Sequence, residues 1–247
     1  MTIKRLFIQT PVTALLLSSF VILFVIQVAT GVDINQPSQQ SLLLWGANAL
    51  PFSLIEPWRL LSSAFLHIGL MHLLFNCFAM YFFGQATEYS FGSVKFLLIF
   101  VLSAIGGNLL NNYVNLWQVL YNNTAPGISA GASGGIMGLG MALLTVELLK
   151  KRLLKVRQQG PNPQLKSLAI VMGINLMYGF AVPGIDNAGH IGGAITGAIL
   201  AIGVMLGLRF SLQGAKPIIK ALPWLIFVII GAVYFQAFFS LRHLVGL

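Results

Sequence analysis

Five polar side chains interrupt long apolar runs of this chain: His72, Asn76, Ser133, Asn175 and His190. A polar group inside a membrane-length apolar run is costly and marks a candidate functional position. Ser133 stands in Gly131-Ala132-Ser133-Gly134-Gly135, directly before such a run. A nucleophilic serine needs a base, an oxyanion site and room for the substrate backbone. The glycines supply room. A helix starting at Ser133 points unpaired N–H groups outward, where a tetrahedral oxyanion would form. His190 also opens an apolar run, and the positive end of a helix disfavours imidazolium, leaving a neutral ring that can take the serine proton. His72 and Asn76 are four apart, on one helical face, and can donate to the same oxyanion.

Ser129 competes for the nucleophile role, because Gly127-Ile128-Ser129-Ala130-Gly131 has the same G-x-S-x-G pattern. That pattern means a nucleophile elbow only where a strand precedes the serine, and none is expected before either one. Ser129 falls in a loop, a turn too early to share the helix end, so Ser133 is the expected nucleophile. Asp186, four residues before His190, is expected to cap that helix together with Asn187 rather than to act as a triad acid. His67 is assigned to the membrane interface.

Helices must position these groups. The chain has 247 residues, 57% of them hydrophobic and only 8% charged, with a mean hydropathy of +0.87, whereas soluble domains carry about 25% charged residues. Apolar stretches at 12–29, 66–83, 96–110, 133–149, 167–182, 190–208 and 221–239 read as seven transmembrane helices. The fold class is an all-α polytopic bundle forming one domain over 1–247. With the N-terminus cytoplasmic, twelve of the 14 Lys and Arg residues fall on the inner side, leaving only Arg59 and Arg242 outside. The net charge of +9 therefore reads as a topology signal facing anionic lipid, and no nucleic-acid partner is expected. Helices two, four and six then enter from the outer face carrying His72, Ser133 and His190. Gly189, Gly193 and Gly197, with Gly134 and Gly138, form small-residue faces that allow close helix approach. The long outer loop from about residue 30 to 66 carries Trp45, Trp58 and three prolines, a composition suited to the interface.

Together these residues resemble the rhomboid intramembrane proteases of bacterial type, from Pro57 to about Leu208. Trp58-Arg59 is similar to the family's outer-loop motif, His67-x4-His72-x3-Asn76 to its second helix, and Gly84 to Gly92 around Glu88 to the following inner turn. Gly131-Ala132-Ser133-Gly134 is similar to its nucleophile motif, and Gly189-His190 with Gly193 and Gly197 to its sixth helix. The resemblance implies a six-helix core, with a first helix at about 12–29 and an extra C-terminal helix at about 221–239. It implies a Ser133–His190 dyad without an acid, and an oxyanion site made by His72, Asn76 and the backbone of Ser133 and Gly134. The implied substrates are single-span membrane proteins, met in a bacterial inner membrane with the site toward the outer face. The pattern departs at Met137, where an aromatic often stands in the family.

Two other classes fit less well. An inactive client-binding relative would be expected to have lost Ser133 or His190. A transporter would carry paired ionisable groups in mid-membrane. No His-Glu-x-x-His occurs, so no metal and no cofactor are expected.

Overall fold

The computed structural model describes residues 3–153, 163–181, 186–213 and 221–247. Lys155, Arg157, Lys216 and Lys220, which enter the charge count, lie outside them, as does the side chain of Asn175. After a short helix α1 (Ile3–Gln9), α2 (Pro11–Ala29) begins with Pro at its first turn, where the missing N–H costs nothing. The amides of Val12 and Thr13 in that turn donate to the Glu88 carboxylate at 3.0 and 2.7 Å, and the Thr13 hydroxyl does so at 2.7 Å. An anion at a helix N-terminus satisfies orphan donors and complements the dipole. Glu88 thereby fastens the first span to the second.

The long loop between the first two spans is built from α3 (Gln39–Leu44), strand β1 (Asn48–Ala49), α4 (Leu50–Ile55) and α5 (Arg59–Ser62). Arg59 is buried and holds it together, donating to Glu56 at 2.6 Å and to the carbonyls of Leu43 and Ala47. The chain then bends by 94° into a helix that runs through α6 (Leu70–Ala79), a π turn (Met80–Gly84) and α7 (Gln85–Phe91). This helix starts four residues later than its apolar run suggests, because Gly69 breaks the chain with φ 89°. His67 lies in the break. It is buried, its ring 5.3 Å from that of Phe20 and 5.5 Å from that of His72.

Four long helices follow the second span: α8 (Ser93–Asn122), α9 (Ser133–Leu153), α10 (Pro163–Ala181) and α11 (Asn187–Leu212); the described chain closes with α12 (Leu222–Leu244). All seven expected helices are present. Five are long and apolar enough to cross a membrane, six with the bent pair counted as one span. The 19-residue α10 is not among them, since Gln164, Lys166 and Asn175 dilute its apolar run. The protein is an integral, multi-pass membrane protein.

The centre of the bundle is α8, α9 and α11. A methyl group on Gly193 would overlap the Gly134 carbonyl oxygen, and one on Gly197 that of Gly138. On the α8 side, a methyl on Gly107 would lie 2.5 Å from the Gly189 carbonyl oxygen, and one on Gly192 would lie 2.8 Å from that of Gly106. Where lipid offers no hydrophobic drive, such direct backbone contact is what holds helices together. Phe20, Met80, Phe96, Phe100, Leu139 and Leu200 fill the surrounding core, all at 0% exposure.

Candidate active site

Helices α9 and α11 start side by side because their glycine rows interlock. Ser133, first in α9, and His190, in the first turn of α11, therefore face each other, with Ser133 Oγ 2.8 Å from His190 Nε2. The other ring nitrogen of His190, Nδ1, is buried with no hydrogen-bond partner among the described residues. Asp186 does not reach it. Its carboxylate instead receives three donors: the Gly189 amide and Asn111 Nδ2 at 2.7 and 2.8 Å on one oxygen, and Ser129 Oγ at 2.6 Å on the other. Asp186 is the N-cap of α11, as its position implies.

The first helical bond of α9 runs from the Ile136 amide to the Ala132 carbonyl at 3.0 Å. The amides of Ser133 and Gly134 stand outside that ladder, at the positive end of the helix. His72 lies alongside. A methyl group on Gly131 would come within 2.6 Å of His72 Cε1, and φ there is 142°, so glycine alone fits beneath the ring. The Ile68 amide donates to His72 Nδ1 at 3.2 Å. With Nδ1 accepting, the proton of the neutral ring sits on Nε2, leaving that nitrogen a donor. Asn76 is buried and turns one amide hydrogen back to the His72 carbonyl at 3.0 Å, which leaves it one more to give. Met137, one turn beyond Ser133, is buried in the core.

A cavity of about 10 Å³ adjoins Ser133, lined by Asn108, Ser129, Gly131, Gly134, Asp186 and Gly189 among others. It has room for about one water and none for a peptide.

The family model for the rhomboid domain matches residues 55–207, more than half of the chain. The chain belongs to the rhomboid family. It is 37% identical over 206 residues to rhomboid protease GluP of Bacillus subtilis, which covers 82% of this chain and 37% of GluP. It is 34% identical over 210 residues to rhomboid protease AarA of Providencia stuartii, covering 81% of this chain and 73% of AarA. A match of 35% identity over 144 residues, 57% of this chain and 36% of the other, is to inactive RHOMBOID-like protein 8 of Arabidopsis thaliana. The chain thus spans little more than a third of GluP and about three quarters of AarA.

In this rhomboid, two features of the site go beyond the sequence reading. A two-residue strand, β2 (Ile128–Ser129), does precede Ser133, pairing antiparallel with β1 so that Asn48 opposes Ser129. The expectation of no strand fails because the long loop between the first two spans folds back and supplies a partner that local sequence does not reveal. The strand carries Ser129 itself, whose hydroxyl is engaged with Asp186. The second feature is an asparagine ladder on α8, which continues to Asn122 instead of ending near residue 110. Asn108 donates to the Leu60 carbonyl and Ser63 Oγ, both at 2.8 Å, and Asn112 to Asn48 Oδ1 at 3.1 Å. Asn111 reaches Asp186, and Asn115 Oδ1 receives the Gly127 amide at 2.7 Å. The signal was legible in the spacing: positions 108, 111, 112 and 115 share one face of a 3.6-residue helix.

Proposed function

We propose that this rhomboid is an intramembrane serine endopeptidase that cleaves single-span membrane proteins with a Ser133–His190 dyad. The observation that carries the reading is the 2.8 Å contact between Ser133 Oγ and His190 Nε2, a distance within reach for proton transfer. His190 Nε2 takes the hydroxyl proton as Ser133 Oγ attacks the scissile carbonyl carbon. The tetrahedral oxyanion accepts from the amides of Ser133 and Gly134, from His72 Nε2–H and from the free hydrogen of Asn76. His190 then gives its proton to the departing amine. A water molecule, deprotonated by the same nitrogen, hydrolyses the acyl-enzyme and restores the serine.

Under this reading residues 1–247 form one membrane domain in a bacterial inner membrane. The N-terminus is cytoplasmic and the site opens toward the outer face. The distribution of Lys and Arg supports that orientation. The test is cleavage of a panel of single-span substrates by the purified protein in liposomes. Wild type should cut, and Ser133→Ala, folded to the same thermal stability, should not. Cleavage by a folded Ser133→Ala protein would overturn the dyad. Retained substrate binding without any cleavage by wild type would favour a client-binding role.

A further inference from the structure

At the far end of α11 from His190, a second cavity of about 300 Å³ lies between the ends of four helices. It is lined by Ser90 at the end of α7, Lys95 at the start of α8, Val204, Leu208 and Ser211 on the last turns of α11, and Trp224 at the start of α12. With a rise of 1.5 Å per residue, Leu208 is roughly 25–30 Å along α11 from His190, so the cavity is independent of the serine site. Four helix ends and a tryptophan at one level mark a membrane–water boundary.

We propose that this cavity binds an anionic phospholipid, its phosphate on Lys95 and its glycerol and upper acyl chain along Val204, Leu208 and Trp224. Charge is the first argument. The chain has five acidic residues, and each is occupied elsewhere. Glu56 pairs with Arg59, and Glu147 with Lys150. Glu88 caps α2, Asp186 caps α11, and Asp33 accepts from the amides of Asn35 and Gln36. Lys95 has no carboxylate partner among the described residues. Its ammonium lies 5.3 Å from the Trp224 ring centroid, a contact that orients the cation without neutralising it.

The lining supplies the second argument. An ammonium offers three donors and the Ser211 hydroxyl one, while the Ser90 hydroxyl already donates to the Ala86 carbonyl at 2.7 Å; four donors suit a phosphate. The other walls are apolar, Leu208 and Trp224 among them are exposed, and so are Leu212 and Leu225, the residues near them on the same two helices. That surface faces acyl chains, so a lipid rather than a free anion is the occupant. The volume is at the small end of the range for ligand pockets, enough for a headgroup and the start of one chain.

Native mass spectrometry of the delipidated full chain, titrated with phosphatidylglycerol or phosphatidylcholine of identical chains, tests this. Phosphatidylglycerol should be retained about fivefold better, the contribution of one lysine near a membrane surface. Lys95→Gln should remove that preference, while Lys166→Gln, an exposed cation on α10, should keep it. Val204→Trp, which fills the cavity without changing charge, should also abolish it and serves if the Lys95 variant does not fold. Equal retention of the two lipids by wild type would overturn the proposal, as would a preference that survives either cavity variant. Competition by glycerol 3-phosphate as effective as that of the lipid would overturn the lipid assignment.

Discussion

The Ser129 hydroxyl donates to the Asp186 carboxylate across 2.6 Å, joining the strand that leads to Ser133 to the cap of the helix that carries His190. The serine with the second G-x-S-x-G pattern is thus a brace between the segments that carry Ser133 and His190. Removing it leaves a carboxylate oxygen without its charge-assisted partner, a loss of about 1.5–3 kcal/mol. Ser129→Ala should therefore lower the midpoint of thermal unfolding while retaining substantial proteolysis. A stable but dead Ser129→Ala protein would move the nucleophile assignment.

Asp186→Asn separates a cap from a triad acid. The asparagine oxygen can still accept from the Gly189 amide and Asn111, and its amide can donate to Ser129 Oγ, so the network survives with one bond reversed. Turnover should fall less than about tenfold, against the ~10⁴-fold typical when a triad aspartate becomes asparagine. Asp186→Ala removes the cap outright and should destabilise by about 1 kcal/mol or more. Steady-state cleavage and thermal melts of both variants decide this.

His72 is expected to act on the transition state. Its Nε2 is a donor because the Ile68 amide occupies Nδ1, so His72→Ala should lower kcat by about 10²–10³ with little change in KM. Asn76→Ala, losing a donor already shared with the His72 carbonyl, should cost less. A His72→Ala variant that changes KM alone would assign the residue to ground-state binding.

One substitution should have opposite outcomes at two glycines. Gly197→Ala drives a methyl into the Gly138 carbonyl oxygen, which no rotamer change can relieve, whereas Gly231 on α12 has open space around its Cα. Gly197→Ala should destabilise by about 1–3 kcal/mol or more and reduce cleavage. Gly231→Ala should be neutral or stabilising by up to about 1 kcal/mol, as in any open helix position. Thermal unfolding in one detergent compares them directly.

Much of this was readable from the chain because membrane helices obey local rules. Apolar length set the helices, and helix-end position with flanking glycines singled out Ser133 and His190, whose juxtaposition depends on glycine rows already visible in the sequence. Contacts made by the long loop between the first two spans were hidden. The Asn48–Ser129 pairing joins residues 81 positions apart, and no local pattern encodes the partner of a two-residue strand. The burial of His67 depends on Phe20 of a different span. The asparagine ladder was visible in its spacing but lay beyond the apolar run used to draw the third helix.

The glycine rows also divide the molecule by what can move. Where Gly193 meets Gly134 and Gly197 meets Gly138, backbone rests on backbone, so at these two points α9 and α11 have no side-chain rotamer that could absorb a slide or a tilt. The pocket beside Ser133 is nonetheless too small for a peptide. Under the proposed function, admission of a substrate falls to elements outside the glycine-locked pair, so mutation of those elements should change the speed of entry without altering the alignment of serine and histidine.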